Sequence, residues 1–365
     1  MSKGILNLII LSLLSEDTMY QDISIEDALN KMAELPVVDL RSPGEFREAT
    51  IPGALNIPLL DNVERAIVGT VYKHEGPEKA RYMAMELLSP KLPAFVYSFK
   101  EVALEKKIVI FCWRGGERSH FAASILDLMG FKVFRITGGF KAYRKHVLQF
   151  FDREILPYRA VALHGLTGVG KTDVLLELKS WGFNVLDLEG LARHRGSVFG
   201  KIGQLPSPGQ KMFESLIESE FRLVQINSYF LVECESKRIG KLIIPSAVFN
   251  TMGKGINILL YANVKSRTER IKRDYLTGKD GNLTALKAAI ERLAKYIGNR
   301  KVTELTDLLG SGKISSVIEF LLLNYYDPLY KYPSGPSDDY FLSVNTENLG
   351  MAVKEIACFI EELSL

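Results

Sequence analysis

The 365-residue chain is poor in cysteine (three), in tryptophan (two) and in histidine (five). Cys112, Cys234 and Cys358 lie far apart, with no CxxC spacing. That excludes a disulfide scaffold and a cysteine zinc site, and points to a reducing compartment. The formal net charge of +3 is too small to announce a nucleic-acid binder. Local basic patches set that affinity, so the total does not exclude one. No membrane span is expected. The apolar run at residues 4–14 is shorter than a bilayer needs, and no A-x-A cleavage pattern follows it. Residues 1–18 are therefore read as an apolar extension, an extra helix or an upstream start, and the rest as cytoplasmic. There are no internal repeats and no low-complexity tract. The length suffices for two cores.

The chain is organised around Phe111-Cys112-Trp113-Arg114-Gly115-Gly116-Glu117-Arg118-Ser119. The apolar run Ile108-Val109-Ile110-Phe111 reads as a buried parallel strand that ends at the cysteine. Two glycines follow, and Ser119 is expected to open an apolar-periodic helix. Strand, tight loop and helix point successive amides into a bowl that binds anions and favours a thiolate over a thiol. Arg114 and Arg118 add charge, so Cys112 is the candidate nucleophile and Arg114, Gly115, Gly116, Arg118 and Ser119 the candidate anion site. The alternative is a buried structural cysteine. Cys112 to Arg118 is a C-x5-R spacing. Cysteine phosphatases use that length, so the loop alone leaves a phosphatase open.

Around it, residues 19–150 alternate strands and helices and predict a parallel sheet covered on both faces. Ser24 and Asp27 form an acidic capping box. Leu35-Pro36-Val37-Val38-Asp39-Leu40 is a strand, and Pro43 takes an N1-like position. Residues 61–88 are a polar helical stretch, and Val133-Phe134-Arg135-Ile136 a further strand. Arg41 is expected to form a structural ion pair with Asp39 or Glu45.

A second domain, residues 151–365, opens on the strand Tyr158-Arg159-Ala160-Val161-Ala162-Leu163-His164. Gly165-Leu166-Thr167-Gly168-Val169-Gly170-Lys171-Thr172 follows and matches G-x4-G-K-[ST] between strand and helix. Gly165, Thr167, Gly168 and Gly170 wrap a diphosphate, Lys171 reaches its oxygens, and the Thr172 hydroxyl is of the kind that holds Mg²⁺. ATP or GTP is the default ligand, but any diphosphate, an isoprenoid one included, satisfies the same physics. The acid of such a site ends a strand: Asp187 and Glu233 are candidates, with Glu235 beside the latter. Cys234, between two acids, is read as inert. No further metal is assigned. Three basic sets suit a polyanion such as RNA: Arg193, His194, Arg195 and Lys201 in a glycine-rich loop; Lys237 and Arg238; and Arg267, Arg270 and Arg273 on one helix face. From about residue 283 the chain looks helical with one strand-like run at residues 340–344, offering packing and no nameable chemistry.

Two resemblances follow from these motifs. Val38-Asp39-Leu40-Arg41-Ser42-Pro43-Gly44-Glu45-Phe46, Ile51-Pro52-Gly53-Ala54-Leu55-Asn56-Ile57-Pro58, the cysteine loop and Gly138-Gly139-Phe140-Lys141-Ala142-Tyr143 resemble the rhodanese fold. That implies a chalcogen carried on Cys112. Many single-domain rhodaneses have C-x4-R here, so this loop is one residue longer. From about residue 22 onward the chain is similar to the bacterial tRNA 2-selenouridine synthase family, on Val68-Gly69-Thr70-Val71-Tyr72-Lys73, Ala192-Arg193-His194-Arg195-Gly196, Glu233-Cys234-Glu235-Ser236 and the two loops above. This resemblance implies an α/β rhodanese-like domain followed by a P-loop NTPase-like domain. It also implies replacement of sulfur by selenium at wobble 2-thiouridine in the tRNA anticodon loop. The co-substrates would be selenophosphate, from a partner enzyme, and geranyl diphosphate, with an S-geranyl intermediate and no tightly bound cofactor. The residue-based alternatives are a kinase–phosphatase fusion and a non-catalytic chalcogen relay.

Overall fold

A computed structural model describes residues 20–195, 197, 199–275 and 283–364. The apolar extension and the glycine at position 196 of the basic loop lie outside them. The chain divides into two compact units, Met1–Leu148 and Gln149–Leu365.

In the first unit five parallel strands take the order β1 (Gln21–Ile23), β5 (Lys132–Ile136), β4 (Lys107–Phe111), β2 (Val37–Asp39), β3 (Leu55–Asn56). Strand β4 is central, and Ile108, Val109, Ile110 and Phe111 are fully buried, as a strand covered on both faces requires. Helices Leu92–Val102 and Glu117–Leu128 supply apolar faces to this core through Phe95, Phe99, Ala122 and Leu126.

Local chemistry sets the helix ends. Ser24 accepts from Asp27 N at 3.0 Å, and its hydroxyl returns a bond to the Asp27 carboxylate. Ser42 and Glu45 close a full capping box on helix Pro43–Glu48, with Pro43 in its first turn. The polar stretch 61–88 is two helices, Asn62–Glu75 and Pro77–Leu88. Gly76 at φ +95° and the Pro77 that follows it break the run. The helix after the cysteine begins at Glu117, two residues before the expected Ser119. Ser119 is instead buried inside the first turn, where its hydroxyl donates to Gly116 O at 3.1 Å.

Beneath the cysteine loop lies a buried ion pair. The Arg41 guanidinium donates to both Asp39 carboxylate oxygens and to Ala49 O, and sits 3.9 Å from the Phe140 ring centroid. Thr50 adds a bond to Asp39 at 2.8 Å. Of the two partners expected for Arg41, Asp39 is the one it takes.

The second unit has a five-stranded parallel sheet in the order β12 (Leu342–Asn345), β11 (Ile256–Tyr261), β6 (Arg159–His164), β8 (Tyr229–Glu233), β7 (Val185–Leu186). Strands β9 (Arg238–Ile239) and β10 (Leu242–Ile243) form a small antiparallel hairpin. Helices Leu283–Glu291, Asn299–Gly310 and Ile314–Leu321 pack into a separate apolar cluster with Phe199 and Ile202. No helix among the described residues is long and apolar enough to cross a membrane.

Asp39→Ala is expected to destabilise the first unit by about 3–5 kcal/mol, because it leaves a buried guanidinium unpaired. Glu75→Ala, at the exposed pair with Lys79, should cost no more than about 0.5 kcal/mol. Denaturant unfolding of both variants checks this, and similar losses in the two would contradict it.

Candidate active sites

Strand β4 delivers Cys112 to the carboxyl edge of its sheet, between β2 and β5, where open α/β sheets place ligands. The loop that follows is tied from behind. Cys112 O and Trp113 O accept from the amides of Phe140 and Lys141 at 2.8 and 3.0 Å. Gly115 O accepts from Arg135 at 2.6 Å, and Arg135 is itself anchored on Asp22. Gly115 sits at φ +67°, and a Cβ there would lie 2.8 Å from Gly138 N and Ile136 O, so a side chain would force the loop open. With its carbonyls occupied, the loop keeps its amides for a ligand: among the described residues those of Trp113, Arg114, Gly115 and Gly116 donate to no backbone acceptor. The Cys112 thiol is buried and donates to Ser119 Oγ at 3.3 Å.

The two loop arginines differ. Arg114 is exposed and makes no ion pair among the described residues. Arg118 does not match the expectation of an anion-binding side chain. Its guanidinium bonds Glu45 at 2.8 Å. Burial raises the Glu45 carboxyl, but the hydrogen bond and charge of Arg118 outweigh that and hold it below its ordinary range. Arg118 therefore braces the helix N-terminus.

The second loop follows β6. Gly165 at φ +142° passes so close to β11 that a Cβ would meet Leu260 O at 2.2 Å, which only glycine permits. Two arginines hold this loop from outside. Arg267 Nε donates to Thr167 O at 2.8 Å, and Arg270 donates to Val169 O at 3.0 Å. Lys171 Nζ lies 3.0 Å from Gly165 O, over the mouth of its own loop. Thr172 donates to Glu233 Oε1 at 2.6 Å. In P-loop proteins a hydroxyl and a carboxylate so placed hold the metal of a bound nucleotide, and these two would do the same.

Glu233 ends β8 as expected and is buried. Glu189 and Glu235 join it, with carboxylate oxygens within 4.8 Å of one another. Burial, then mutual repulsion, pushes Glu189 up to about 9 and Glu235 up to about 7. Burial also raises Glu233, against the pull of Lys171 and Thr172. Three crowded carboxylates beside a hydroxyl are a hard, all-oxygen donor set that suits a divalent cation such as Mg²⁺. Asp187 is not part of the cluster: it is the N-cap of helix Leu188–Ala192, accepting from Gly190 N at 2.8 Å. Cys234 is raised by burial, consistent with an inert thiol.

The basic residues sort differently from expectation. Arg267 is buried, bidentate to Asp327, and Arg270 is spent on the loop carbonyls. Arg273 pairs with Asp173 and Asp274. The third set is thus a brace for the P-loop and offers RNA little. His194 is also withdrawn. It is buried against Gly200 and Gly240, where a Cβ would meet its ring at 2.7 and 2.8 Å. Arg195 lines the P-loop cavity and lies 5.1 Å from the Tyr275 ring centroid. Arg193, Lys201, Lys237 and Arg238 are exposed.

Sequence reasoning missed Glu189, because it sits inside a helix and no strand end marks it. It also missed Tyr330 and Tyr332, which line the P-loop cavity from the C-terminal segment read as packing only. Their rings are nearly parallel, with centroids 6.4 Å apart. A cluster of tyrosines shortly before a strand was the available signal.

Because Glu189 is neutral when folded up to about pH 9, the folded state gives up stability as pH rises from the ordinary carboxylate range toward that value. Glu189→Gln is expected to flatten the fall in melting temperature between pH 6 and 9, and Mg²⁺ should raise it more at the alkaline end. A slope unchanged by the substitution would contradict the clustered-acid account.

Residues 158–349 match the family model for the tRNA 2-selenouridine synthase AAA domain, and residues 24–146 match the Rhodanese-like domain. Proteins named tRNA 2-selenouridine synthase from Nitrosomonas europaea, Pseudomonas entomophila and Marinobacter nauticus are each 32% identical to this chain. The matches cover 77%, 82% and 84% of it, and 74%, 87% and 90% of their own lengths. A solved N-terminal domain of a protein from Clostridium difficile 630 is 39% identical over 35% of this chain and 99% of its own, with a TM-score of 0.32. With both domain models matched in order and nearly a third of residues shared across most of each relative, the chain belongs to the tRNA 2-selenouridine synthase family.

Proposed function

We propose that this chain replaces the sulfur of wobble 2-thiouridine in tRNA by selenium, in two steps that use its two loops. Thiocarbonyl sulfur on C2 of a uracil is a poor leaving group. In the first step it attacks C1 of geranyl diphosphate at the P-loop. The C–S bond forms, the C–O bond to diphosphate breaks, and the base loses its N3 proton. Lys171 and the loop amides neutralise the departing diphosphate; Thr172 and the acid cluster would hold a Mg²⁺, which would supply further positive charge there. In the second step selenium adds at C2 and geranyl thiolate leaves. Water cleaves the P–Se bond of selenophosphate and phosphate is released.

The Cys112 loop takes the anionic selenium donor, with its amides and Arg114 as the positive wall and the Cys112 thiol positioning the selenium for C2 without forming an S–Se bond. Tyr330 and Tyr332 offer stacking faces for an unpaired base beside the P-loop. Arg193, Lys201, Lys237 and Arg238 are the exposed cations left for the phosphate backbone. The protein acts in the cytoplasm and receives selenophosphate from the enzyme that makes it. The observation that carries this reading is the coexistence, in one chain of this family, of a thiol bowl with free amides and a phosphate loop backed by acids. The Thr172–Glu233 pair equally suits a metal–nucleotide complex, so a kinase–phosphatase fusion is the second reading.

Two substitutions separate the steps. Lys171→Ala should lower geranyl transfer to 2-thiouridine by at least about 100-fold, as loss of one charged donor to a leaving group does. Cys112→Ala should keep geranylation within about twofold and abolish selenation. Nucleoside mass spectrometry reads both. Geranyl transfer untouched by Lys171→Ala, together with Lys171-dependent ATP turnover, would favour the fusion instead.

A further inference from the structure

A narrow apolar cleft of about 70 Å³ adjoins the P-loop cavity. Thr167, Ser197, Ile271 and Tyr275 line both the cleft and the P-loop cavity, so the two are continuous at the end of the loop. Beyond them the wall comes from the helical cluster, through residues such as Leu286, Ile290, Leu309 and Ile318.

We propose that this cleft holds the hydrocarbon chain of a prenyl diphosphate whose diphosphate lies on the P-loop. The inference rests on the geranyl diphosphate reading above and says where its specificity lies. A P-loop by itself accepts any diphosphate, so what sits beside it decides the ligand. A purine placed against Leu286, Ile290, Leu309 and Ile318 would bury ring nitrogens and an exocyclic group among aliphatic side chains, which is costly. A branched hydrocarbon loses nothing by the same placement and gains from every carbon removed from water. The helices that follow residue 283 thus make the P-loop selective for an apolar tail.

Calorimetry on the full chain tests this with geranyl, farnesyl and inorganic diphosphate as probes. The wild-type chain should bind geranyl diphosphate at least about 100-fold more tightly than inorganic diphosphate, from the area of the chain removed from water. Ile318→Trp, at a half-buried wall position, should weaken geranyl diphosphate by about 30-fold and leave inorganic diphosphate within about twofold. Ile290→Ala opens the wall and should shift preference from the ten-carbon toward the fifteen-carbon chain by about tenfold. It answers the question even if the tryptophan variant fails to fold. Tight geranyl diphosphate binding with a chain-length preference that Ile290→Ala leaves unchanged would overturn the cleft assignment and spare the proposed reaction. Geranyl diphosphate bound no better than inorganic diphosphate would overturn both.

Discussion

A loop that binds an anion with its amides must turn its carbonyls the other way, and something must satisfy them there. Both sites in this chain meet that constraint with arginine. Arg135 holds the carbonyl of Gly115, with the Phe140 and Lys141 amides behind Cys112 and Trp113. Arg267 and Arg270 do the same for the P-loop at Thr167 and Val169. Two of the three are fixed in turn by a carboxylate: Arg135 by Asp22 and Arg267 by Asp327. The guanidinium suits this task because its planar donors bond a carboxylate and a carbonyl at once. The amides are therefore aimed before any ligand arrives, so binding does not have to order them.

The acid cluster imposes the opposite tension. Glu189, Glu233 and Glu235 cannot all ionise beside one another without a cation. Lys171 and the Thr172 hydroxyl relieve part of it. A divalent ion would relieve the rest, and a diphosphate bridging that ion and Lys171 would complete the charge balance. On the proposed reading, the cluster would make diphosphate binding and metal binding depend on each other.

Much of this was legible in the sequence. The two parallel sheets, the Cys112 loop, the strand–loop–helix around Lys171 and the acid at Glu233 follow from short-range patterns of apolar runs and glycines. The partnership of Arg41 with Asp39 was readable because the two are close in sequence. What could not be read depends on contacts between distant segments. Arg267, Arg270 and Arg273 recur every third residue like a solvated face, yet the first two turn toward the P-loop and the third toward Asp173 in the helix after it, all some hundred residues earlier. Arg118 looked like an anion ligand until Glu45 was placed beside it by the packing of helix Pro43–Glu48. His194 reads as part of a basic loop facing a polyanion, but two glycines make room for its ring inside. Glu189 joins the site only through its contact with the end of β8, and the apolar cleft only where the helices after residue 283 meet the end of the P-loop.

The account's central claim is that sulfur is made a leaving group before selenium enters. The most direct measurement is nucleoside mass spectrometry on an anticodon stem-loop carrying 2-thiouridine. The purified chain is given selenophosphate with and without geranyl diphosphate. The account predicts selenouridine only when geranyl diphosphate is present, preceded by a species heavier by one geranyl group. Selenouridine formed at the same rate without geranyl diphosphate would contradict it.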